Sequence, residues 1–372
     1  MTPRRVRVLH VITSLTVGGA ERLVLSAACR LAPERFEHAI CCLVEPGALA
    51  AEAAAAGVPV HTVGAFPGVT RPLAFLRLRR IIKQVAPTIV HTHLQSANLY
   101  GRLAARLAGV PLVMATEHNV YAHKPRRYVL VERALARWTD VLIAVSANVQ
   151  QFLSRQLALP PSAIRVVYNG VADAPASAAS VAELTQRLPA GLPVAAVVAS
   201  LTKKKGHPVL LRALAALRQK GVALTVLIAG DGPERSRLEA MSEALGVGDS
   251  VRFLGTAPAP PVLAVADVFV LPSLVEGLPL ALLEAMLAGK AVVASAVGGV
   301  PEVIEPEVNG VLVAAGDDSA LADAIARLIA SPELRARLGQ QARATVGGRF
   351  TEAAYLASLD EIYTRAVQAI AA

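Results

Sequence analysis

Two glutamates in the last third of the chain, Glu276 and Glu284, are separated by the seven residues GLPLALL. Ahead of them an apolar strand closes at Val268 to Pro272, and Ser273 to Pro279 carries the turn residues Gly277 and Pro279. From Leu280 the apolar spacing becomes helical and ends near Gly289. A strand, a tight loop and a helix start make a place where α/β proteins hold phosphates. The backbone N–H groups of Gly277, Leu278 and the first helical turn are expected to point at whatever lies above the sheet, and the helix dipole favours an anion there. Glu284 lies about five residues into the helix, roughly one sugar's width from Glu276 at about 1.5 Å of rise per residue. One carboxylate can accept both hydroxyls of a ribose, and the other can accept hydroxyls beyond the phosphates. Together they describe a nucleotide sugar. Taken singly, each also has a plain reading, Glu284 as a solvated helix residue and Glu276 as a partner of the helix dipole.

With its flanks, PSLVEGLPLALLEAMLAGKAVVASAVGGVPEVI resembles the donor-site signature of retaining glycosyltransferases of family 4 (glycosyl transferases group 1). The resemblance implies an α/β chain of GT-B architecture, two Rossmann-like domains facing a central crevice. It also implies that Glu276 contacts the transferred sugar, that the loop Gly277, Leu278 and Pro279 holds the diphosphate, and that Glu284 binds the ribose.

The totals agree with two domains. The chain has 372 residues, 54% apolar and 17% charged, which is a globular composition and not a disordered one. No apolar run reaches the roughly 18 residues needed to span a bilayer, and the start shows no small-residue cleavage site, so a cytoplasmic protein is expected. Cys29, Cys41 and Cys42 are odd in number, lack metal-ligand spacing and are expected as buried reduced thiols. Residues 1–171 carry 20 Lys and Arg against 8 Asp and Glu, and residues 172–372 carry 17 against 20. The basic first half suits an anionic membrane surface or an acidic substrate. Aromatic residues at 4% and the lack of a zinc-finger or RNP-type motif argue against nucleic acid.

Strands alternate with helices along the first half, which implies a parallel sheet covered on both faces. Gly18 and Gly19 sit between the first strand and helix, where glycine permits backbone approach to a ligand, although a plain tight turn fits as well. In the family the matching loop lies over the donor phosphates. The helix Pro72 to Val85 sets Arg77, Arg79, Arg80 and Lys83 around an apolar stripe, either a solvated face or a contact with anionic lipid. His91 and His93 share one face of a strand, a possible metal pair, but no third ligand stands nearby in sequence. Such an HTH is frequent at this strand end in the family, and the resemblance therefore assigns the pair to the crevice lining. The next strand delivers His118 to the carboxyl edge of the sheet, where α/β ligands bind. A satisfied structural histidine is the alternative there; the family matches this position to a histidine beside the reacting carbon of the sugar. The segment 121–138 is basic, with Lys124, Arg126, Arg127, Arg133 and Arg137, and fits a phosphate-bearing or membrane-bound acceptor.

Residues 172–193 read as the linker between a first domain, 1–171, and a second, 194–350. The last helix, 355–371, is expected to pack back on the first domain, as this architecture implies. In SLTKKKGHP, Lys205 and Gly206 stand at a helix start, a natural diphosphate position. The family pattern there has an arginine where this chain has Ser200, with Lys203 or Lys204 as partial replacements. The resemblance implies that Phe253 and Leu254 flank the nucleobase, although core packing explains Phe253 equally well.

The candidate catalytic residues are therefore His118, Lys205 and Glu276. The expected substrates are a UDP- or GDP-sugar donor and a glycan or lipid-linked acceptor. No D-x-D occurs, so neither metal nor other cofactor is expected, and Lys205, loop amides and helix dipoles are left to stabilise the leaving diphosphate. A nucleotide-sugar epimerase of the same architecture and a catalytically silent sugar-binding subunit are the alternatives.

Overall fold

A computed structural model of the chain describes residues 5–65, 72–120 and 126–371, so Lys124 lies outside the described residues. The chain divides into two compact units. The first is Met1–Asn169 with Glu352–Ala372, and the second is Gly170–Thr351.

In the first unit the elements run β1 (Val6–Ser14), α1 (Gly19–Arg30), β2 (Phe36–Glu45), α2 (Ala50–Ala55), β3 (Val60–Thr62), α3 (Pro72–Val85) and β4 (Ile89–His93). They continue through α4 (Gln95–Leu107), β5 (Leu112–Glu117), α5 (Arg126–Ala136), β6 (Val141–Ala144), α6 (Ala147–Leu157) and β7 (Ile164–Val166). The sheet order is β3-β2-β1-β4-β5-β6-β7, with parallel pairing throughout. Strands such as VRVLHVITS are apolar on both sides because helices cover both faces. Leu9, Val11, Ala39, Cys41, Val90 and Val113 meet α3 and α4, while Ile12, Ile40 and Cys42 meet Val24, Leu25 and Ala28 of α1. Ser146 caps α6 as its sequence position predicts, accepting from the Val149 N–H at 3.2 Å.

The second unit contains α7 (Ala178–Gln186), β8 (Val194–Val198), α8 (His207–Gln219), β9 (Thr225–Ala229), α9 (Arg235–Ala244), β10 (Val251–Gly255) and α10 (Ala259–Val265). It goes on with β11 (Val268–Leu271), α11 (Leu280–Leu287), β12 (Ala291–Ser295), β13 (Val311–Val313), α12 (Asp318–Ala330) and α13 (Pro332–Arg349). Its sheet order is β10-β9-β8-β11-β12-β13, again parallel. Strand order reverses between β8 and β11, and ligands of open α/β sheets bind at the carboxyl ends beside such a reversal.

The final helix α14 (Glu352–Ala371) returns to the first unit. Glu352 bonds both Ser26 and Arg30 of α1, and Tyr363 packs edge-on against Phe36. The segment 172–193, expected as the linker, lies within the second unit and carries a helix. The chain enters the second unit at Gly170, and AASVAELTQ forms α7, whose Leu184 packs with Leu188 against Val194 and Ala196. Alanine-rich sequence has high helix propensity, and one leucine anchors it, which a search for periodic apolar residues passes over. Cys41 and Cys42 are buried, whereas Cys29 is only half-buried. No helix among the described residues is long and apolar enough to cross a membrane.

Candidate functional site

The loops leaving β8 and β11 carry the expected phosphate-binding residues, and they are locked together with the loop leaving β12. Lys203–Lys205 form one turn of 3-10 helix, and Gly206, at φ +67°, swings the chain into α8. A Cβ on Gly206 would run into the Pro272 carbonyl, so only glycine lets the lysine turn sit directly on the β11 loop. The N–H groups of Leu274 and Val275 donate to the Lys204 carbonyl at 2.8 and 3.3 Å. From the other side, the Gly299 N–H donates to the Gly277 carbonyl at 2.6 Å, and Gly298, at φ +56°, presses against the Glu276 carbonyl. Glu276 and Gly277 are thereby held between two neighbouring loops.

Glu276 is 3% exposed, and its Oε1 accepts from Lys205 Nζ at 2.6 Å and from Ser273 Oγ at 2.7 Å. A buried carboxylate requires such partners. An ammonium has three donors, so Lys205 can keep Glu276 and still donate to a phosphate. Glu284 is half-buried at the fifth position of α11. Pro279 is the N-cap of that helix, and the Leu278 side chain is buried behind it.

Ser200 is exposed, with its Oγ 3.5 Å from Thr202 Oγ1. Its carbonyl accepts from Nε2 of His207 at 3.2 Å, which fixes the tautomer, because a carbonyl only accepts. Nδ1 of His207 is then an unprotonated buried atom with no partner among the described residues. Burial lowers the pKa of His207. His207 and Ser273 are marked in the sequence only by adjacency to Gly206 and to the loop glutamate. Phe253 and Leu254 lie on the edge strand β10 and are half-buried against the core. Both therefore have packing roles.

In the first unit, Gly18 is the N-cap of α1 with extended backbone at φ −159°, a conformation open to any residue. A Cβ there would meet the Glu21 carboxylate, the movable end of a side chain. Gly19 is exposed at the helix start.

His118 follows β5 and is buried, with Nε2 3.3 Å from Nδ1 of His93. His93 Nε2 is 3.2 Å from Nδ1 of His10, and His10 Nε2 is 3.1 Å from Nδ1 of His38. His91 completes the group, with Nδ1 2.6 Å from the Tyr363 hydroxyl and Nε2 2.7 Å from Thr116 Oγ1. The pair His91 and His93 is thus joined by His10, which its sequence neighbourhood did not reveal. Parallel pairing sets His10 opposite His91, and the three residues bring ring nitrogens within 4.8 Å of one another, close enough for a metal ion. Burial pushes the pKa of His38 and His118 down to about 4 and that of His91 to about 3. His10 and His93 move in the same direction, first through burial and then through neighbouring imidazoles. All five rings are neutral near pH 7.

Comparison with known proteins decides the family. Residues 17–174 match the description Glycosyltransferase Family 4, and residues 185–345 match Glycosyl transferases group 1. The chain is 33% identical to the alpha-maltose-1-phosphate synthase of Mycolicibacterium smegmatis over 312 residues, 75% of this chain and 79% of the relative. The chain belongs to glycosyltransferase family 4. This family 4 glycosyltransferase is also 34% identical to a D-inositol 3-phosphate glycosyltransferase of Salinispora arenicola, over 76% of this chain and 69% of the relative. Its fold is GT-B. Anabaena Alr3699/HepE, solved in complex with UDP and glucose, superimposes with a TM-score of 0.85 at 24% identity, covering 97% of this chain and all of that one. The sucrose-phosphate synthase of Thermosynechococcus elongatus gives 0.83 at 21% identity, over 98% of this chain and all of the other.

Proposed function

We propose that this chain transfers a hexose, with retention of configuration, from a UDP- or GDP-sugar to a hydroxyl of a glycan or lipid-linked acceptor. The setting is the synthesis of surface polysaccharide, lipopolysaccharide or glycolipid. The observation that carries this reading is the clamp of the Lys205–Gly206 turn on the Glu276–Pro279 loop at the strand-order reversal. It joins a cation, main-chain donors and a helix start at one place. Lys205 and the start of α11 hold the diphosphate and offset its charge as the sugar leaves, so the chemistry needs no metal. Glu284 accepts from the ribose hydroxyls. Glu276 and His118 position the sugar, and the acceptor hydroxyl attacks from the face that the diphosphate departs, passing its proton to the departing phosphate oxygen.

The acceptor side rests on the surface of the first unit. On α3 the exposed Leu73 and Leu76 lie beside exposed Arg77 and Arg80, and on α5 the exposed Leu130 and Val131 lie among Arg126, Arg127 and Arg133. Exposed apolar side chains within a basic surface suit the cytoplasmic face of an anionic membrane, where a lipid-linked acceptor would reside.

Ser200 favours a second reading, a sugar-binding subunit without turnover, because the permanent charge expected at that position is absent. Incubating the purified chain with UDP- and GDP-hexoses and following release of free nucleoside diphosphate separates the two. Nucleotide release at a rate that Lys205→Ala abolishes supports transfer; binding without release supports the subunit.

A further inference from the structure

The four imidazoles His38, His10, His93 and His118 form one directed chain across β2, β1, β4 and the end of β5. Side chains alternate across a strand, and the register sets Val8 opposite His38, His10 opposite His91, and His93 opposite Thr116, so all four rings fall on the face covered by α1 and α14. Successive ring centroids along the chain lie 5.3, 5.4 and 5.6 Å apart.

The direction comes from the far end. Nε2 of His38 is 3.2 Å from the Leu31 carbonyl, which can only accept, so that nitrogen carries the proton. A neutral ring has one donor and one acceptor, so Nδ1 of His38 accepts from Nε2–H of His10. In turn Nδ1 of His10 accepts from Nε2–H of His93, and Nδ1 of His93 accepts from Nε2–H of His118. Reversing any ring would set two donors or two acceptors face to face in a buried site. His118 is therefore left with its lone pair on Nδ1.

A metal explains these contacts less well. It would take nitrogens that already have hydrogen-bond partners in His10, His91 and His93.

We propose that this chain sets the tautomer of His118 and presents its Nδ1 as a hydrogen-bond acceptor for a hydroxyl of the transferred sugar, with His10, His38 and His93 as positioning residues. The sugar contact rests on the role given to His118 above; the tautomer does not. The Leu31 carbonyl at the end of α1 thus determines how a ring four strands' worth of contacts away can bond.

The test is nitrogen NMR of the full chain labelled in its imidazoles, at about pH 7.5, which reads which nitrogen of each ring bears the proton. The expected result is a neutral Nε2–H tautomer for all four rings in the wild type. A proton on Nδ1 of His118, a charged ring, or signals that shift when metal is removed would overturn the chain. His38→Leu removes the directing contact and should leave His118 as a mixture of tautomers. His38→Gln, whose amide can donate to the Leu31 carbonyl and accept from His10, should keep the single tautomer. In parallel, the preference for UDP-glucose over UDP, or for a GDP-hexose over GDP, should fall about tenfold in His38→Leu and recover in His38→Gln, the scale of one hydrogen bond. An unchanged preference in His38→Leu with a scrambled tautomer overturns the sugar contact. Nε2–H rings in a wild type that binds no nucleotide sugar overturn the reaction assigned to the protein while the tautomer chain stands.

Discussion

Lowering the pH from about 7.5 to about 5 should destabilise the first unit far more than the second. His38 and His118, the two ends of the imidazole chain, have pKa values pushed down to about 4 by burial, against an ordinary value of 6.5. Their folded values lie below the unfolded one, so the unfolded chain binds more protons and stability decreases as the pH is lowered. The stabilisation is complete above about pH 6.5 and is lost as the pH drops towards 4. At pH 5 an unfolded histidine is nearly all protonated and these two are nearly all neutral, which costs about 2 kcal/mol each, or about 4 kcal/mol for both. His10, His91 and His93 shift in the same direction and add to this loss. A domain is stable by only about 5–15 kcal/mol, so the first unit should approach unfolding near pH 5. The second unit contains one histidine, His207. Trp138, the only tryptophan, lies in the first unit, so its fluorescence during urea unfolding reports that unit alone. Extrapolated stability should drop by about 4 kcal/mol or more between pH 7.5 and 5, and His38→Gln should remove about 2 kcal/mol of that dependence. Stability that is flat over this range, or that is lost mainly above pH 7, would refute the neutral, buried imidazoles.

Glu276→Gln removes the carboxylate that Lys205 holds, so UDP or GDP should bind at least as tightly while hexose transfer falls about a hundredfold, measured by calorimetry and by nucleotide release. Gly206→Ala forces a Cβ at positive φ towards the Pro272 carbonyl and should destabilise the second unit by about 2 kcal/mol or more, read as a shifted thermal transition, with weaker nucleotide binding. Replacing Arg126 and Arg127 of α5 with glutamate should reduce co-sedimentation with anionic vesicles and leave nucleotide affinity unchanged.

The two parallel sheets were legible because each strand is a short apolar run bounded by turn residues, and α3 occupies the span its periodicity gives. The loop of Glu276 was legible because its residues are contiguous. The ion pair it makes was not, since Lys205 lies 71 positions away and meets Glu276 only because β8 and β11 are neighbours. The imidazole chain was hidden for the same reason. His10, His38, His93 and His118 look like isolated residues until parallel pairing sets β2, β1, β4 and β5 side by side. Tyr363, which bonds His91 from α14, is 272 positions away from it. The helix α7 escaped because its short, alanine-rich sequence has little apolar periodicity and no fully buried residue.

The proposed function requires the second unit to hold a nucleoside diphosphate sugar through the α11 loop and Glu284. Calorimetric titration of UDP, GDP and ADP and their hexose derivatives into the wild type and into Glu284→Ala tests it most directly. One nucleotide should bind at one site per chain, and Glu284→Ala should weaken it about tenfold or more, as loss of a charged hydrogen-bonding partner predicts. Equal affinity in the variant, or no binding of any of these nucleotides to the wild type, would contradict it.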